Sequence, residues 1–111
     1  MDGDPPRFDL ILLGLGDDGH TASLFPGSDA LFEKDSLITA GEGKGHKRIT
    51  FTGKLLSAAD NVVFLISGPA KQTALKRLLD PSESWERTPA KLVAPNSEII
   101  VLTDKDAYPS F

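Results

Sequence analysis

Three runs of apolar residues divide the chain, and each is bounded by glycine, proline or polar residues. They cover residues 8–14, 61–68 and 98–103, and the last two are rich in β-branched side chains. Continuous apolar runs of this length are typical of strands that are buried on both faces of a parallel sheet. We therefore predict three central strands.

Amphipathic segments alternate with these strands. Residues 70–80 predict a helix that Pro81 ends, and a short helix capped by Thr52 follows a strand at about residues 48–51. The apolar stripe of the longer helix consists of Ala70, Ala74, Leu75, Leu78 and Leu79. Alternation of strand and helix predicts an α/β fold, a mostly parallel, Rossmann-like sheet with flanking helices. Such sheets bind ligands beyond the carboxyl ends of their strands.

Two segments carry weaker signals. Residues 41–47 are rich in glycine and lysine, and residues 80–89 are polar with proline near both ends, so both predict loops. Trp85 in the second loop is expected to act as a packing anchor. The chain has no internal repeat.

Composition narrows the class of protein. The 111 residues are 40% hydrophobic and 25% charged, which suits one modest core. With no cysteine there are neither disulfides nor thiolate metal sites, and a cytoplasmic location is expected. No apolar run approaches the roughly 20 residues that span a bilayer, and the first residues lack the layout of a signal peptide. We expect no membrane partner.

Charge argues against a nucleic-acid partner, because the formal net charge is -4 and phosphate-backbone binding needs a surplus of basic residues. The basic residues are nevertheless concentrated in one stretch, which is a candidate to hold a small anion. The stretch contains Lys44, His46, Lys47, Arg48 and Lys54.

The segment after the first predicted strand, Gly-Leu-Gly-Asp-Asp-Gly-His-Thr-Ala-Ser-Leu-Phe-Pro-Gly over residues 14–27, carries the candidate chemistry. Its glycines, Gly14, Gly16 and Gly19, match the dinucleotide-binding fingerprint as a bare pattern. However, Pro26 leaves too little room for the helix of that fingerprint, and two adjacent carboxylates would repel a pyrophosphate. The glycines instead predict a turn without Cβ atoms, at which backbone amides approach a ligand.

His20 follows this turn, and an imidazole can accept a proton from water near neutral pH. Asp18 is a candidate to hydrogen-bond the far ring nitrogen and to fix its tautomer, although Asp17 is an alternative. The competing interpretation makes His20 a satisfied polar residue and the two aspartates turn residues. The preceding strand and the glycine spacing favour the catalytic interpretation.

Residues 12–27 closely resemble the signature of the 6-phosphogluconolactonase family, which is related to glucosamine-6-phosphate isomerase/deaminase. Residues 47–50 resemble the family's Arg-[Ile/Val]-Thr strand entry and residues 67–71 its Gly-x-x-Lys helix entry, while 89–95 and 103–107 resemble its last loop and closing helix. The resemblance implies that residues 1–111 are the C-terminal part of a single domain, and a candidate partner is another chain that supplies the missing N-terminal half.

The implied activity is hydrolysis of 6-phospho-D-glucono-1,5-lactone to 6-phosphogluconate in the oxidative pentose phosphate pathway, without metal or organic cofactor. His20 would activate water, assisted by Asp18, and Arg48 and Lys71 would hold the substrate phosphate. From the sequence alone, Lys71 and Arg48 are equally well explained as solvated surface cations. The chain by itself is expected to be weakly active or inactive.

Two alternatives stay open. The related deaminase/isomerase family shares the glycine-rich element but places a glutamate five positions after the histidine, where this sequence has Phe25. A phenyl ring cannot transfer a proton, so the lactonase interpretation is preferred. The other alternative is a non-catalytic fragment that binds sugar phosphate.

Overall fold

The computed structural model describes residues 6–43 and 45–109. Its strands are β1 (Ile11–Leu13), β2 (Ile38–Gly43), β3 (His46–Phe51), β4 (Val62–Ile66) and β5 (Ile99–Thr103). Its α-helices are α1 (Gly53–Ser57) and α2 (Gln72–Leu79). Short 3-10 turns occupy Asp29–Phe32, Pro69–Lys71 and Pro89–Leu92. Among the described residues, no helix has the length and apolar character that crossing a membrane requires.

The three predicted central strands form one parallel sheet in the order β1-β4-β5. Ile11 pairs with Val62, and Val62 pairs in turn with Ile99, so the strands start in line. The predicted α/β class and the parallel sheet are therefore confirmed. Because β1 and β4 are parallel, the chain segments that follow them leave the sheet at the same end, the carboxyl ends of the strands, and both segments carry candidate residues.

One face of this sheet is buried, and the other is largely exposed. Val62 and Phe64 are fully buried in a core that also contains Leu56 of α1 and Leu75 of α2. On the opposite face Val63 is 8% exposed, whereas the other apolar side chains are about half exposed: Leu12 58%, Leu65 49%, Ile100 49% and Leu102 55%. The prediction of strands buried on both faces is wrong for the described chain, because its helices cover one face only.

Residues 41–47 were predicted to be a loop, and this prediction is wrong. β2 and β3 form an antiparallel hairpin whose register runs from Ile38 opposite Phe51 to Gly43 opposite His46; Lys44 lies outside the described residues. The hairpin forms a separate two-stranded sheet, so the strand predicted at residues 48–51 exists but does not join the parallel sheet. The glycines have a packing reason, since a Cβ at Gly43 would collide with the ring of Phe25.

The two predicted helices are present. Oγ1 of Thr52 accepts a hydrogen bond from the Leu55 N–H at 3.3 Å, which confirms the predicted cap of α1. In α2, Ala74 and Leu75 are buried, whereas Leu79 is 41% exposed and Ala70 lies outside the helix and is exposed. The apolar stripe is therefore narrower than predicted.

The remaining segments are irregular. Residues 80–88 form the predicted loop, in which the ring of Trp85 packs edge-on against Phe32 at a centroid distance of 5.4 Å. The closing helix expected at residues 103–107 is not formed in the described chain. Instead, Asp104 accepts a hydrogen bond from the Ala107 N–H at 2.9 Å and closes a turn after β5.

Candidate active site

The loop after β1 is folded on itself by short backbone hydrogen bonds. The Gly16 N–H donates to the carbonyl of His20 at 2.8 Å, and the Gly19 N–H donates to the carbonyl of Gly16 at 2.9 Å. A Cβ at Gly16 would lie 2.0 Å from Nδ1 of His20 and 2.8 Å from a carboxylate oxygen of Asp18. Gly16 is therefore the position where the absence of a side chain makes room for the imidazole and its partner.

Asp18 is the carboxylate that contacts His20. Nδ1 of His20 lies 2.6 Å from Oδ1 of Asp18, and the same oxygen accepts the backbone N–H of His20 at 3.0 Å. The His20 side chain is 22% exposed and that of Asp18 is 41% exposed. When Nδ1 carries the proton that Asp18 accepts, Nε2 becomes the basic nitrogen of the ring. This geometry suits a base and its orienting group.

Asp17 contacts a different partner. Its Oδ1 lies 2.8 Å from Nζ of Lys71, and the Lys71 side chain is 29% exposed. Lys71 ends the Pro69–Lys71 turn and directly precedes α2. The ion pair therefore connects the beginning of α2 to the loop after β1 and leaves Asp18 to His20.

A cavity of about 340 Å³ opens between this loop and Lys71. Four of the predicted site residues share it with Leu15, Thr21 and Ala22, namely Gly14, Gly16, His20 and Lys71. A larger cavity of about 600 Å³, lined by residues 26–29, 40–42 and 47, contains none of the predicted site residues. Within the described ranges no group of three or more His, Cys, Asp or Glu residues is placed to hold a metal ion.

Gly19 does not line this cavity. It is buried with a φ of 88°, and its carbonyl accepts the Ala90 N–H at 3.0 Å. A Cβ there would lie 3.1 Å from Cα of Thr88. The described structure therefore gives Gly19 a role in packing the loop against residues 88–90, whereas Gly14 and Gly16 face the cavity.

Arg48 does not line the cavity either. Its Nε donates to the carbonyl of Gly43 at 3.2 Å, and its Cζ lies 5.2 Å from the ring centroid of Phe25. The Phe25 ring in turn lies 4.4 Å from the ring of His20. Arg48 therefore reaches the site region through Phe25.

The basic stretch predicted to hold an anion does not form a single cluster in the described residues. Lys47 and Arg48 are successive residues of β3 and point to opposite faces. Lys54 lies on α1, and its Nζ donates to the carbonyl of Asp35 at 3.2 Å. Lys44 is outside the described residues.

Two buried threonines that the sequence reasoning missed hold the site loop. Oγ1 of Thr21 donates to the carbonyl of Gly14 at 2.7 Å, and Oγ1 of Thr50 accepts the Ser23 N–H at 3.0 Å. The neighbouring Ala22 has a φ of 51°, a conformation that is uncommon for a residue with a side chain. The family-like segment at residues 47–50 contained Thr50 and was the available signal for it.

A sequence model of the family described as "Glucosamine-6-phosphate isomerases/6-phosphogluconolactonase" matches residues 1–102. The chain belongs to this family. The 6-phosphogluconolactonase of Synechocystis is 51% identical over 102 residues, which are 92% of this chain and 42% of that protein.

Solved structures agree with this membership. The crystal structure of 6-phosphogluconolactonase from Leishmania guyanensis matches with a TM-score of 0.81 and 26% identity over 96% of this chain and 44% of that chain. A monomeric glucosamine-6-phosphate deaminase of the NagB superfamily matches with a TM-score of 0.70 and 26% identity over 89% of this chain and 46% of that chain. The chain thus spans less than half the length of these relatives.

Proposed function

We propose that this chain, as part of a complete domain of its family, hydrolyses 6-phospho-D-glucono-1,5-lactone to 6-phosphogluconate, the reaction of the oxidative pentose phosphate pathway. The observation that carries the proposal is the 2.6 Å contact between His20 and Asp18 at a cavity that Lys71 also lines. A base and a cation on one cavity fit a neutral ester that bears a phosphate. The cytoplasmic location and the lack of a cofactor remain predictions from the sequence.

In this mechanism His20 removes a proton from water through Nε2 while the oxygen attacks the lactone carbonyl. Asp18 accepts the Nδ1 proton and stabilises the imidazolium that forms. The proton then passes to the ring oxygen as the C–O bond breaks, so one water is consumed and one carboxylic acid is released. Charge that develops on the carbonyl oxygen requires hydrogen-bond donors close to the loop after β1.

Lys71 is the better supported of the two proposed phosphate ligands. It lies on the same cavity as His20, and its partner Asp17 is 66% exposed, so the ammonium group can turn toward an anion at low cost. Arg48 supplies a planar fork of donors on the other side of Phe25. Its part in binding rests on the position of the hairpin relative to the rest of a complete domain.

The deaminase alternative is less well supported. Phe25 occupies the position of the glutamate that assists ring opening in that family, and its 6% exposed ring packs against His20. No described carboxylate besides Asp18 is hydrogen-bonded to His20. A single base with one orienting carboxylate meets the needs of lactone hydrolysis but lacks the extra acid.

We also propose that residues 1–111 are the C-terminal part of one family domain. The half-exposed Leu12, Leu65, Ile100 and Leu102 support this, because a parallel sheet is ordinarily covered on both faces. β1 is at an edge of the sheet and can accept another strand. A second polypeptide that carries the rest of the domain would cover this face.

The test is to replace the matched 102-residue segment of the Synechocystis relative with this chain and to assay lactone hydrolysis in the hybrid and in the chain alone. The hybrid is expected to be active and the isolated chain weak or inactive. His20→Ala should lower kcat of the hybrid by about 10²-fold to 10⁴-fold, the range of general acid–base catalysis. His46→Ala, in the exposed hairpin, is the matched control and should leave kcat unchanged.

Ammonia release from glucosamine 6-phosphate by the hybrid, without lactone hydrolysis, would favour the deaminase alternative. Binding of 6-phosphogluconate without turnover in a folded hybrid would favour the non-catalytic alternative. An unimpaired His20→Ala variant would defeat the mechanism.

A further inference from the structure

Phe25 contacts two of the charged or titratable side chains of the proposed site, His20 and Arg48. Its ring centroid lies 4.4 Å from that of His20 with an angle of 30° between the planes, and 5.2 Å from Cζ of Arg48. Phe25 is 6% exposed, so these contacts are made by a buried ring of fixed orientation. Its side chain therefore joins His20 of the loop after β1 to Arg48 of the hairpin β2–β3.

For His20, the ring contact adds a restraint that Asp18 cannot supply. The hydrogen bond to Asp18 fixes Nδ1 but still permits the imidazole to tilt about that bond. The Phe25 ring, at 4.4 Å and inclined by 30° to the imidazole, restricts further tilting, because the two rings lose contact when their planes diverge more. Together the two contacts fix the direction in which Nε2 points.

For Arg48, the ring contact works with Gly43. Nε of Arg48 donates to the carbonyl of Gly43, while the absent side chain of Gly43 makes room for the edge of Phe25. The terminal guanidinium nitrogens make no hydrogen bond within residues 6–43 and 45–109. They remain available to an anion, and the guanidinium is held over an aromatic ring as in cation–π pairs.

We propose that Phe25 is a positioning residue, which orients the imidazole of His20 and the guanidinium of Arg48 toward one phosphosugar ligand. The kinetic test of this proposal rests on the proposed lactonase function, whereas its NMR test rests on the geometry alone. Phe25 does not touch the reacting atoms and acts through the two side chains it contacts.

The competing explanation is that Phe25 is ordinary core. A matched control separates the two, because Phe64 of β4 is fully buried in the main core and can be changed in the same way. Phe25→Leu and Phe64→Leu both remove one buried aromatic ring. Only the first removes a ring that contacts His20.

The first measurement is an NMR spectrum of the untagged chain. It has two histidines, so a His46→Gln spectrum assigns the imidazole signals. Phe25→Leu is expected to move the His20 Hδ2 and Hε1 signals by some tenths of a ppm through loss of the ring current, and Phe64→Leu is expected to leave them in place. Unchanged His20 signals in a folded Phe25→Leu variant would overturn the proposal whatever the enzyme does.

The second measurement is steady-state kinetics in the hybrid. Phe25→Leu should lower kcat about tenfold through the misdirected base and raise KM severalfold through Arg48, as positioning losses of this size do. Phe25→Tyr keeps the ring and should restore kcat to within about threefold of the parent. Phe64→Leu should reduce thermal stability with kcat and KM unchanged.

A change at Gly43 tests the same contact without altering Phe25. Gly43→Ala would bring its Cβ to 2.1 Å from Cδ2 of Phe25 and must displace the ring, whereas Gly41→Ala meets only Cβ of Ala30 at 3.3 Å. Gly43→Ala should reproduce the kinetic effect of Phe25→Leu, and the double variant should be no worse than either one. If Gly43→Ala and Phe25→Leu are both fully active in an active hybrid, the proposal for Phe25 is overturned and the lactonase function stands. If the parent hybrid is inactive, the proposed function is contradicted, but the NMR test of Phe25 is still valid.

Discussion

The loop after β1 and the hairpin β2–β3 both contribute to the proposed site, but they are held in different ways. The loop is fixed by hydrogen bonds within residues 14–24 and by the Gly19 carbonyl, which accepts the Ala90 N–H. The hairpin exposes apolar residues such as Ile49, which is 78% exposed, and meets the loop through Thr50 and Arg48. The proposed base, His20, is therefore placed by local structure, and the proposed second cation, Arg48, by a few contacts between segments.

This difference separates two properties of a site. A short segment with the right glycines can build a base and its orienting group by itself, because Asp18 and His20 are two residues apart. The position of a phosphate-binding cation relative to that base depends on segments far apart in the chain. Changes in the loop should thus affect chemistry and stability strongly, and changes in the hairpin more weakly.

After His20→Ala, the largest effect is expected for Asp18→Asn in the hybrid. Asparagine keeps an acceptor oxygen but loses the negative charge that stabilises the imidazolium, so kcat should fall about 10²-fold. Asp17→Asn removes a neighbouring charge that contacts Lys71, and should change KM with little effect on kcat. Stopped-flow or pH-stat assays of both variants measure how each substitution affects kcat and KM. Equal losses of kcat would contradict the assignment of Asp18 as the orienting group.

Gly19→Ala should destabilise the chain by about 2–4 kcal/mol, since a side chain is strained at its φ of 88° and the Cβ would press on Cα of Thr88 at 3.1 Å. The hairpin provides the control. Gly45 has a φ of 79° and open space around its Cβ position, so Gly45→Ala should cost about 1 kcal/mol from the backbone alone. Urea unfolding of the two variants compares them. Equal costs would show that Gly19 is not packed tightly.

Thr50→Val tests the joint between loop and hairpin. It removes the acceptor of the partly buried Ser23 N–H and should cost about 1–2 kcal/mol in unfolding free energy. Thr39 stands directly opposite Thr50 in the hairpin, and Thr39→Val should stay within about 0.5 kcal/mol of the parent. Thermal unfolding measures both. A loss in Thr39→Val as large as that in Thr50→Val would contradict a specific role for the Ser23 contact.

The smallest effect is expected at Glu33, which precedes the hairpin. Its Oε2 accepts the N–H groups of Ser36 and Asp35, and these hydrogen bonds lower the pKa of the carboxyl below its ordinary value of 4.5. Because the pKa of Glu33 is lower in the folded state, its ionised carboxyl stabilises the fold at pH values above the unfolded-state pKa. This stabilisation is lost as the pH falls through the folded-state pKa.

Glu33→Gln should therefore be less stable than the parent at pH 6, and the difference should shrink as the pH is lowered toward 3 and the carboxyl of the parent becomes protonated. Thermal unfolding of both proteins between these pH values measures the difference. A difference that stays constant over the whole range would contradict the electrostatic explanation.

Much of the fold followed from periodicity, and the failures have physical causes. The apolar runs identified all three parallel strands, and Thr52 marked the start of α1. The hairpin was not predicted because Gly41 and Gly43 weaken the strand signal. In the structure these glycines make room for Ala30 and Phe25. The exposure of one sheet face was not predicted, because an apolar run does not reveal whether a covering element lies within the same chain.

Within the site, the sequence by itself determined the members and spacing of the loop, including His20, Asp18 and the glycine that makes room for them. These groups interact over at most four positions, so local geometry suffices. Only the tertiary structure decided that Lys71 shares the cavity, that Gly19 packs against Thr88 and that Arg48 reaches His20 through Phe25. Such contacts join residues far apart in the chain, and their geometry is set by how the hairpin and α2 pack on the loop.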